Sequence, residues 1–367
     1  MRSVGVEEEL LLVDSESGEP RDLSSAVLAM AAREGEGQGD DDAFEAELHR
    51  QQLEFATSPR VAMSELAQEI VQWRRAAARH AETVGASVAA LATSPLPVNP
   101  KVGTGERHRW LEEQFGLTTL EQLTCGCHVH VSVESDDEGV AVLNRIRPWL
   151  SVLLALSANS PFWQGKDSDY SSYRSRVWGR WPSAGPVELF DDAAAYHEQI
   201  RAMVATGVLR DQGMVYFDAR LSANYPTVEV RVADVCLEPS MTVLLAMLVR
   251  GLVETAARQW RAGEPPAEFP VALIRLASWR AGRSGLEDEL VSPVLMRPVP
   301  ALTAVESLFE HVRPALEDAG DYDEARSRLS RILRDGNGAR IQRETLARTG
   351  SLREVVNECV RRTSSAV

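Results

Sequence analysis

Two glutamates on the first predicted strand could share a cation. In the segment SVGVEEELLLV, an extended backbone points Glu7 and Glu9 to one face and Glu8 to the other. Solvated glutamates on an exposed strand would show the same spacing. The apolar run at residues 10–13 indicates a buried strand, however, and buried carboxylates are costly unless they are paired or bind a metal. The pair therefore predicts a cation site.

A second group of carboxylates lies in FEAELHRQQLEFATSP, which contains Glu45, Glu47 and Glu54. Glu47 and Glu54 are seven residues apart, and this odd interval would point them to opposite faces of a straight strand. A bulge or turn near residues 49–51 would bring both to one side, as bulges beside active sites often do. A helix would also align them, so the interval leaves both interpretations open.

The stretch CGCHVHVSV at residues 125–133 contains two cysteines and two histidines within six positions. On a strand, Cys125 and Cys127 share a face with the valines, and His128 and His130 share the opposite face. One tetrahedral zinc ion cannot gather both sets, and paired zinc cysteines are normally separated by two or more residues. We therefore expect the cysteines to be small core residues. The histidines are either site residues or a surface pair.

The segment YFDARLSANYPTVEVRVADVC predicts two strands joined by a turn at residues 224–226. Glu229 and Arg231 share one face of the second strand, opposite a row of valines, and Asp218 and Arg220 share a face of the first. An exposed sheet surface could show the same spacing. The combination of these charged residues with the other glutamates and with a histidine favours a functional site.

These strands together predict one sheet face with at least four carboxylates, a histidine and arginines. Oxygen ligands with one imidazole suit Mg²⁺ or Mn²⁺ better than zinc. Two such ions could bridge the phosphates of a nucleotide, while an arginine holds the departing oxygens. The chain has neither GxxxxGK[ST] nor GxGxxG after a strand, so any use of ATP would not involve a phosphate loop.

Alternation and β-rich composition predict the strands that position these residues. Six are expected, at about residues 2–13, 43–57, 87–93, 122–133, 213–221 and 225–234. The tripeptide Thr57-Ser58-Pro59 is typical of an N-cap followed by proline, which predicts a helix through about residue 85. Further helices are predicted at about residues 139–158, 190–206 and 240–262.

The C-terminal part of the chain, from about residue 266, is predicted to be almost wholly helical. Breaks are expected near Gly282, residues 298–300, Gly320, Gly336 and Gly350. Segregated helices and neighbouring strands indicate an α+β fold with a largely antiparallel sheet. We expect one catalytic domain over residues 1–367, with residues 266–367 as a packing layer. The acidic, glycine-rich segment 33–43 predicts a solvated loop, because it lacks the ligand spacing of an EF-hand.

Composition limits the partners of this 367-residue chain. Its 54 acidic and 39 basic side chains give a formal net charge of −15, which offers no reason to bind nucleic acid or an anionic membrane. Glutamates interrupt any N-terminal signal peptide, and the longest apolar runs, residues 149–158 and 243–249, are too short to span a bilayer. Four cysteines without framework spacing fit reduced thiols, so we expect a cytoplasmic protein.

Five ordered motifs resemble a known family. They are GVEEEL, ELHRQQLEFAT, CGCHVHV, SANSPFWQG followed by SSYRSRVWGRWPSAG, and YFDARLSANYPTVEVRVADVC. In type and order they are similar to the YbdK-type carboxylate-amine ligases of the glutamate-cysteine ligase type 2 family. The resemblance extends from Val4 to about Thr363. It implies a glutamine synthetase-like fold, with a curved, mainly antiparallel sheet of about six strands and helices on its outer face.

The resemblance also implies a reaction. The side-chain carboxylate of L-glutamate, the default substrate, would attack the γ-phosphate of ATP, and an amine such as that of L-cysteine would capture the acyl phosphate. The products would be γ-glutamylcysteine, ADP and phosphate. Family members differ in their substrates, so the same site could instead ligate another carboxylate and amine in secondary metabolism. A third alternative is a catalytically silent protein that binds metal or nucleotide on this fold.

The resemblance further implies roles for individual side chains. One Mg²⁺ or Mn²⁺ ion would be held by Glu7, His128 and Glu229, and another by Glu9, Glu47 and Glu54. Arg231 would contact the transferring phosphoryl group, and Arg174 would be a second phosphate or substrate arginine. Arg220, His130 and Tyr225 would lie on the substrate side. The resemblance allows a homodimer.

Overall fold

A computed structural model describes residues 1–33 and 44–366 of the chain. Apart from Arg33, the acidic segment predicted to be a solvated loop lies outside the described residues. The strands are β1 (Val4–Asp14), β2 (Phe44–Ala46), β3 (Gln52–Ala56), β4 (Ala86–Ala89), β5 (Gly126–Ser132), β6 (Phe162–Trp163), β7 (Lys166–Asp167), β8 (Ala219–Leu221), β9 (Thr227–Asp234), β10 (Glu289–Val291) and β11 (Pro298–Pro300).

The helices lie between and after these strands. They are α1 (Ser24–Arg33), α2 (Met63–Glu82), α3 (Glu106–Phe115), α4 (Leu117–Leu120), α5 (Asp136–Ile146), α6 (Leu150–Ser157), α7 (Arg174–Trp178), α8 (Ala193–Ala205), α9 (Pro239–Arg261), α10 (Val271–Ser284), α11 (Ala301–Ala319), α12 (Tyr322–Asp335), α13 (Gly338–Thr349) and α14 (Leu352–Thr363). Short 3₁₀ helices cover Arg147–Trp149 and Gln212–Met214.

Within the described residues, the central sheet has seven strands, all paired antiparallel. Their order is β2-β3-β1-β5-β9-β8, and β4 pairs with the C-terminal part of β1. Strand β1 therefore pairs with β3 along one edge and with β5 and β4 along the other. The predicted α+β fold with a mainly antiparallel sheet is confirmed. The count rises from six to seven because residues 43–57 form two strands, β2 and β3.

One face of this sheet is apolar because alternate residues of its strands are Val, Leu or Cys. Val6 on β1, Cys127 and Val129 on β5, and Val230 on β9 are at most 1% exposed. Helices α2, α6 and α9 pack against these strands. Burying one such side chain contributes about 1.5–3 kcal/mol, so this face holds the sheet to its helices. The polar side chains of these strands lie mainly on the opposite face.

A buried ion pair interrupts the apolar face. Glu8 and Arg74 are both fully buried, and Arg74 Nη2 lies 2.7 Å from Glu8 Oε1. Thr242 donates a hydrogen bond to the same carboxylate, and Arg74 donates to the carbonyl oxygens of Cys236 and Thr363. The pair therefore ties β1 to α2, α9 and α14.

The prediction for the start of α2 is wrong. This helix begins at Met63, after Ala62, and its N-cap has no side-chain hydrogen bond. Thr57 instead continues the pairing of β3 with β1: its N–H donates to the carbonyl oxygen of Val6, and its Oγ1 accepts from Val6 N–H. Backbone pairing across the sheet therefore overrides the local capping signal.

The helical C-terminal region is confirmed, with two differences. Strands β10 and β11 form a hairpin that the sequence analysis did not predict. Gly282 does not end α10, which continues to Ser284 and is followed by Gly285 at a φ of 57°. Gly282 allows close packing instead, because a Cβ there would lie 2.5 Å from Ser175 Oγ. Helices α11 and α12 pack on α9, and α14 packs on β4.

In the part of the chain that the structure describes, two helical segments are long and apolar enough to cross a membrane, by length and composition alone. They are Asp136–Ser157 and Pro239–Arg261, longer than the apolar runs considered in the sequence analysis. The most apolar parts of these segments are 94% and 89% buried inside the protein, as in the core helices of soluble proteins.

Candidate active site

The polar face of the sheet is formed by β1, β3, β5 and the β8–β9 hairpin, whose registers align the predicted site residues. Side chains directly opposite each other on neighbouring antiparallel strands point to the same face. The opposed pairs are Glu7 with His128, Glu9 with Glu54, His130 with Glu229, and Arg220 with Glu229. Pairing therefore brings residues from four distant segments of the chain onto one surface.

Glu9, Glu47 and Glu54 form a cluster of carboxylates. One oxygen of each lies within 4.8 Å of the others. Glu47 follows the end of β2, so the turn between β2 and β3, and not a helix, brings it to the side of Glu54. Burial, together with the charge of Glu47, raises the pKa of Glu9 to about 7 and the pKa of Glu54 well above its ordinary value. A bound cation would relieve this repulsion.

His128 presents a ring nitrogen to the same region. Its Nδ1 lies 3.0 Å from Glu7 Oε2. An ionised carboxylate only accepts, so Nδ1 donates and carries the hydrogen. Burial and the charge of Arg231 lower the pKa of His128 to about 4, which keeps the ring neutral and leaves a lone pair on Nε2. This Nε2 is buried and has no hydrogen-bond partner among the described residues.

Two overlapping groups of possible ligands include Glu7. Ligand atoms of Glu7, Glu54 and His128 lie within 4.8 Å of one another, and so do those of Glu7, His130 and Glu229. This differs from the expected set, which joined His128 with Glu229. The register explains the difference, because His128 lies opposite Glu7 on β1 whereas His130 lies opposite Glu229 on β9.

His130 is held by groups on both neighbouring strands. Its Nε2 lies 3.1 Å from Glu7 Oε1, and its Nδ1 lies 3.0 Å from Thr227 Oγ1. Burial alone would lower its pKa, but the neighbouring carboxylates of Glu7 and Glu229 raise it. Tyr225, in the turn between β8 and β9, lies edge-on to this ring with centroids 6.5 Å apart and is 64% exposed. It therefore borders the site from the solvent side.

Glu229 is bound by two of the predicted arginines. Arg220 donates from Nε to Glu229 Oε2 at 2.7 Å, and Arg231 donates to Glu229 Oε1. Burial opposes ionisation, but the two guanidinium groups lower the pKa of Glu229 to about 2. The carboxylate is therefore ionised. The Nε of Arg231 remains buried without a hydrogen-bond partner among the described residues.

Arg174 reaches the sheet from α7 through a gap that a glycine provides. A Cβ at Gly126 would lie only 2.3 Å from Arg174 Nη2. Arg174 Nη1 lies 3.9 Å from Asp234 Oδ1, and Asp234 accepts hydrogen bonds from Ser160 and Ser172. The sequence analysis did not single out Asp234 or these serines. The signal available was a carboxylate at the end of a strand, in a chain with two serine-rich motifs.

Trp178 brings the two buried arginines together. The guanidinium carbons of Arg174 and Arg231 lie 5.4 and 5.8 Å from the centre of its ring, within the range of cation–π attraction. Both arginines border a cavity of about 350 Å³. Two cations held side by side at the edge of an acidic cluster can bind the oxygens of a phosphoryl group.

The cysteines of CGCHVHV lie away from this surface. Cys125 and Cys127 are at most 1% exposed and belong to the apolar core, which confirms the expectation that they are core residues. Within the described residues, the groups that could hold a metal ion contain glutamates and histidines and no cysteine. The composition of these groups suits Mg²⁺ or Mn²⁺.

Solved structures share this fold. The chain aligns with the crystal structure of a glutamate–cysteine ligase from Francisella tularensis in complex with AMP, with a TM-score of 0.69 and 14% identity over 99% of this chain and 88% of that one. It also aligns with the ligase PafA in complex with the prokaryotic ubiquitin-like protein Pup, with a TM-score of 0.53 and 15% identity over 95% of this chain and 68% of that one. The fold is that of the glutamine synthetase-like ligases.

Sequence comparison defines the family. The model of glutamate-cysteine ligase family 2 matches residues 3–358, and the chain belongs to this family. It is 63% identical to a protein of Streptomyces avermitilis provisionally named glutamate–cysteine ligase 2-1, over 99% of both chains. It is 62% identical to a Streptomyces coelicolor protein provisionally named glutamate–cysteine ligase 2, over the full length of both. The protein is therefore an ATP-dependent ligase.

Proposed function

We propose that the protein joins a carboxylate to an amine through an acyl phosphate. A carboxylate oxygen of the first substrate attacks the γ-phosphorus of ATP and ADP leaves. The amine nitrogen of the second substrate then attacks the acyl carbon, phosphate leaves with the former carboxylate oxygen, and the nitrogen loses a proton. The observation that carries this proposal is the sheet face on which three overlapping carboxylate and histidine groups lie beside Arg231, with Arg174 next to it.

The default substrates are L-glutamate, through its side-chain carboxylate, and L-cysteine. The products are then γ-glutamylcysteine, ADP and phosphate. Two full-length relatives at 62–63% identity carry glutamate–cysteine ligase names, which supports this choice. A net charge of −15 agrees with small-molecule substrates and disfavours nucleic acid and anionic membranes as partners. We place the reaction in the cytoplasm, where the four cysteines remain reduced thiols.

The site residues fit divalent cations. His128 Nε2 is buried without a partner among the described residues, and the pKa of Glu54 is raised by burial and by Glu47. Glu7 and Glu54 each belong to two ligand groups, so two or more Mg²⁺ or Mn²⁺ ions would share them. Bound there, the ions would neutralise charge on the phosphates of ATP.

The arginines have separate roles in this proposal. Arg231 and Arg174 donate to the oxygens of the transferring phosphoryl group, because each has a buried Nε with no partner among the described residues. Arg220 holds Glu229 ionised and in place through two hydrogen bonds. His130 and Tyr225, at the solvent side, lie where a substrate enters.

The experiment is a measurement of ADP release by the purified protein with ATP and Mg²⁺ across a matrix of amino acids and amines. We expect release that requires both glutamate and cysteine, with γ-glutamylcysteine identified by mass spectrometry, and no release in excess EDTA. Release with another pair would reassign the substrates and retain the reaction. Absence of ADP release with every pair would contradict the proposed function.

A further inference from the structure

The cavity beside Arg174 and Arg231 extends to residues for which the proposed reaction has no role. Its volume is about 350 Å³. Aromatic walls come from Trp178 and Trp181. The charged lining consists of five arginines and one carboxylate: Arg174, Arg176, Arg180, Arg231, Arg275 and Asp218.

Several polar groups that line this cavity lack partners among the described residues. The Nε atoms of Arg174 and Arg231 and the Oγ of Ser278 are buried without a hydrogen bond. These three side chains are 2%, 8% and 8% exposed. Arg176 is half-buried. Among the described residues, its side chain donates one hydrogen bond, to Ser175 Oγ at 3.3 Å. Arg174 and Arg231 are paired with Asp234 and Glu229 through their other nitrogens, but Arg176 has no ion pair among the described residues. A guanidinium group held out of water without an anion is costly, so the cavity is suited to an anionic group.

Among the described residues that line the cavity, Asp218 is the sole carboxylate. Its backbone is fixed just before β8, since its N–H donates to the carbonyl oxygen of Gly185 and its own carbonyl oxygen accepts from Arg231 N–H. Within the described residues its side chain has no ion pair, although burial raises its pKa to about 6 against the opposing charges of Arg176 and Arg275. An ionised carboxylate only accepts hydrogen bonds, so this residue can bind an ammonium group and cannot donate to a phosphate.

The lining therefore combines donors for a carboxylate with one acceptor for an ammonium group. Its volume lies at the lower end of the range of small-molecule pockets, about 300–1,000 Å³, and so suits an amino acid better than a nucleotide. The lining also includes the two arginines assigned to the phosphoryl group. An amino acid with a second carboxylate could thus be bound by the other lining residues and react at these two arginines.

We propose that this cavity binds the amino-acid end of the carboxylate substrate. Asp218 accepts a hydrogen bond from the α-ammonium group, and Arg176 and Ser278 donate to the α-carboxylate. The side-chain carboxylate is then presented at Arg174 and Arg231. This assignment rests on the proposed function and makes Asp218 a specificity-determining residue.

The experiment compares glutamate with glutarate, which keeps both carboxylates and lacks the ammonium group. In the wild type we expect kcat/KM for glutamate to exceed that for glutarate by roughly 10- to 100-fold, the effect of one charged hydrogen bond. Asp218→Asn should remove this preference and leave the KM for ATP unchanged. The matched control is Asp318→Asn, at an exposed carboxylate, which should keep the preference. An unchanged preference in Asp218→Asn, or a raised KM for ATP, would overturn the inference.

Binding is measured separately so that the inference does not depend on turnover. The wild type and Asp218→Asn are heated with a non-hydrolysable ATP analogue, Mg²⁺ and either glutamate or glutarate. The inference is supported if glutamate raises the melting temperature of the wild type more than glutarate does, and if Asp218→Asn shows no such difference. This result counts even where no amide forms. Equal stabilisation of both proteins by glutamate overturns the inference. Selective glutamate binding without ADP release would count against the proposed function and not against the cavity assignment.

Discussion

His128 Nδ1 lies 3.0 Å from Glu7 Oε2 across β1 and β5, and this contact determines which nitrogen of the ring is available to a ligand. Because Nδ1 donates to the carboxylate, Nε2 holds the lone pair and is buried without a partner among the described residues. A histidine whose second nitrogen donates to a carboxylate is the usual arrangement at protein metal sites. The relationship supports a cation bound between Glu7, Glu54 and His128.

His128→Ala should weaken the binding of Mn²⁺, used as a spectroscopic probe for Mg²⁺, by more than about tenfold. The variant removes the unpartnered nitrogen and leaves the opposing carboxylates. Electron paramagnetic resonance titration measures free Mn²⁺ directly. The matched control is Cys127→Ala, on the same strand with its side chain in the core, which should bind Mn²⁺ as the wild type does. Normal binding in His128→Ala, or lost binding in the folded cysteine variant, would contradict the assigned ligand face.

Glu54→Gln should stabilise the metal-free protein and reduce its response to Mg²⁺. The pKa of Glu54 is raised on folding by burial and by Glu47, so its ionisation costs stability as the pH rises above the value of the unfolded chain. At pH 8 in EDTA the variant should therefore melt at a higher temperature than the wild type. Saturating a site at a hundred times Kd adds about 2.7 kcal/mol to the wild type, and the variant should lose most of this gain. If Mg²⁺ raised the melting temperature of the variant more than that of the wild type, this would argue against Glu54 as a ligand.

Gly126→Ala should displace Arg174 and lower kcat. The added Cβ would lie 2.3 Å from Arg174 Nη2, closer than any stable contact. Gly5→Ala is the control on the neighbouring strand, since its nearest heavy atom outside the chain neighbours would be 3.7 Å away. Steady-state kinetics should show a fall of roughly 100-fold for the first variant, the effect of losing one donor to a transition-state oxygen, and little change for the second. Equal activity in both would show that Arg174 does not act on the substrate.

The faces of the strands could be predicted from the sequence because side chains alternate strictly along an extended backbone. That rule separated Glu7 and Glu9 from Glu8, and the histidines from the cysteines. Partners across strands could not be predicted, because they depend on register. The register explains why His128 groups with Glu7 and His130 with Glu229.

Other features depend on contacts between distant parts of the chain. Thr57 has the local signature of a helix cap, but a strand pairing with Val6 uses both its N–H and its hydroxyl. Gly282 is of a residue type that often ends a helix. It nevertheless lies inside α10, where Ser175 packs against it. In both cases tertiary packing overrides a local preference.

Arg74→Met should lower the free energy of unfolding by about 3–5 kcal/mol, because it leaves the Glu8 carboxylate buried without its cation. Urea denaturation followed by circular dichroism measures the change. Arg334→Met, which removes an exposed ion pair with Asp335, serves as the control and should unfold as the wild type does. A wild-type midpoint for Arg74→Met would mean that the buried pair does not join β1 to its helices as described.

The proposed acyl phosphate is tested most directly by following a carboxylate oxygen. Glutamate labelled with ¹⁸O in its side-chain carboxylate is incubated with ATP, Mg²⁺, cysteine and the protein, and the inorganic phosphate is examined by ³¹P nuclear magnetic resonance. The account predicts that each phosphate released with an amide bond carries one oxygen from the carboxylate. Amide formation accompanied by unlabelled phosphate would contradict it.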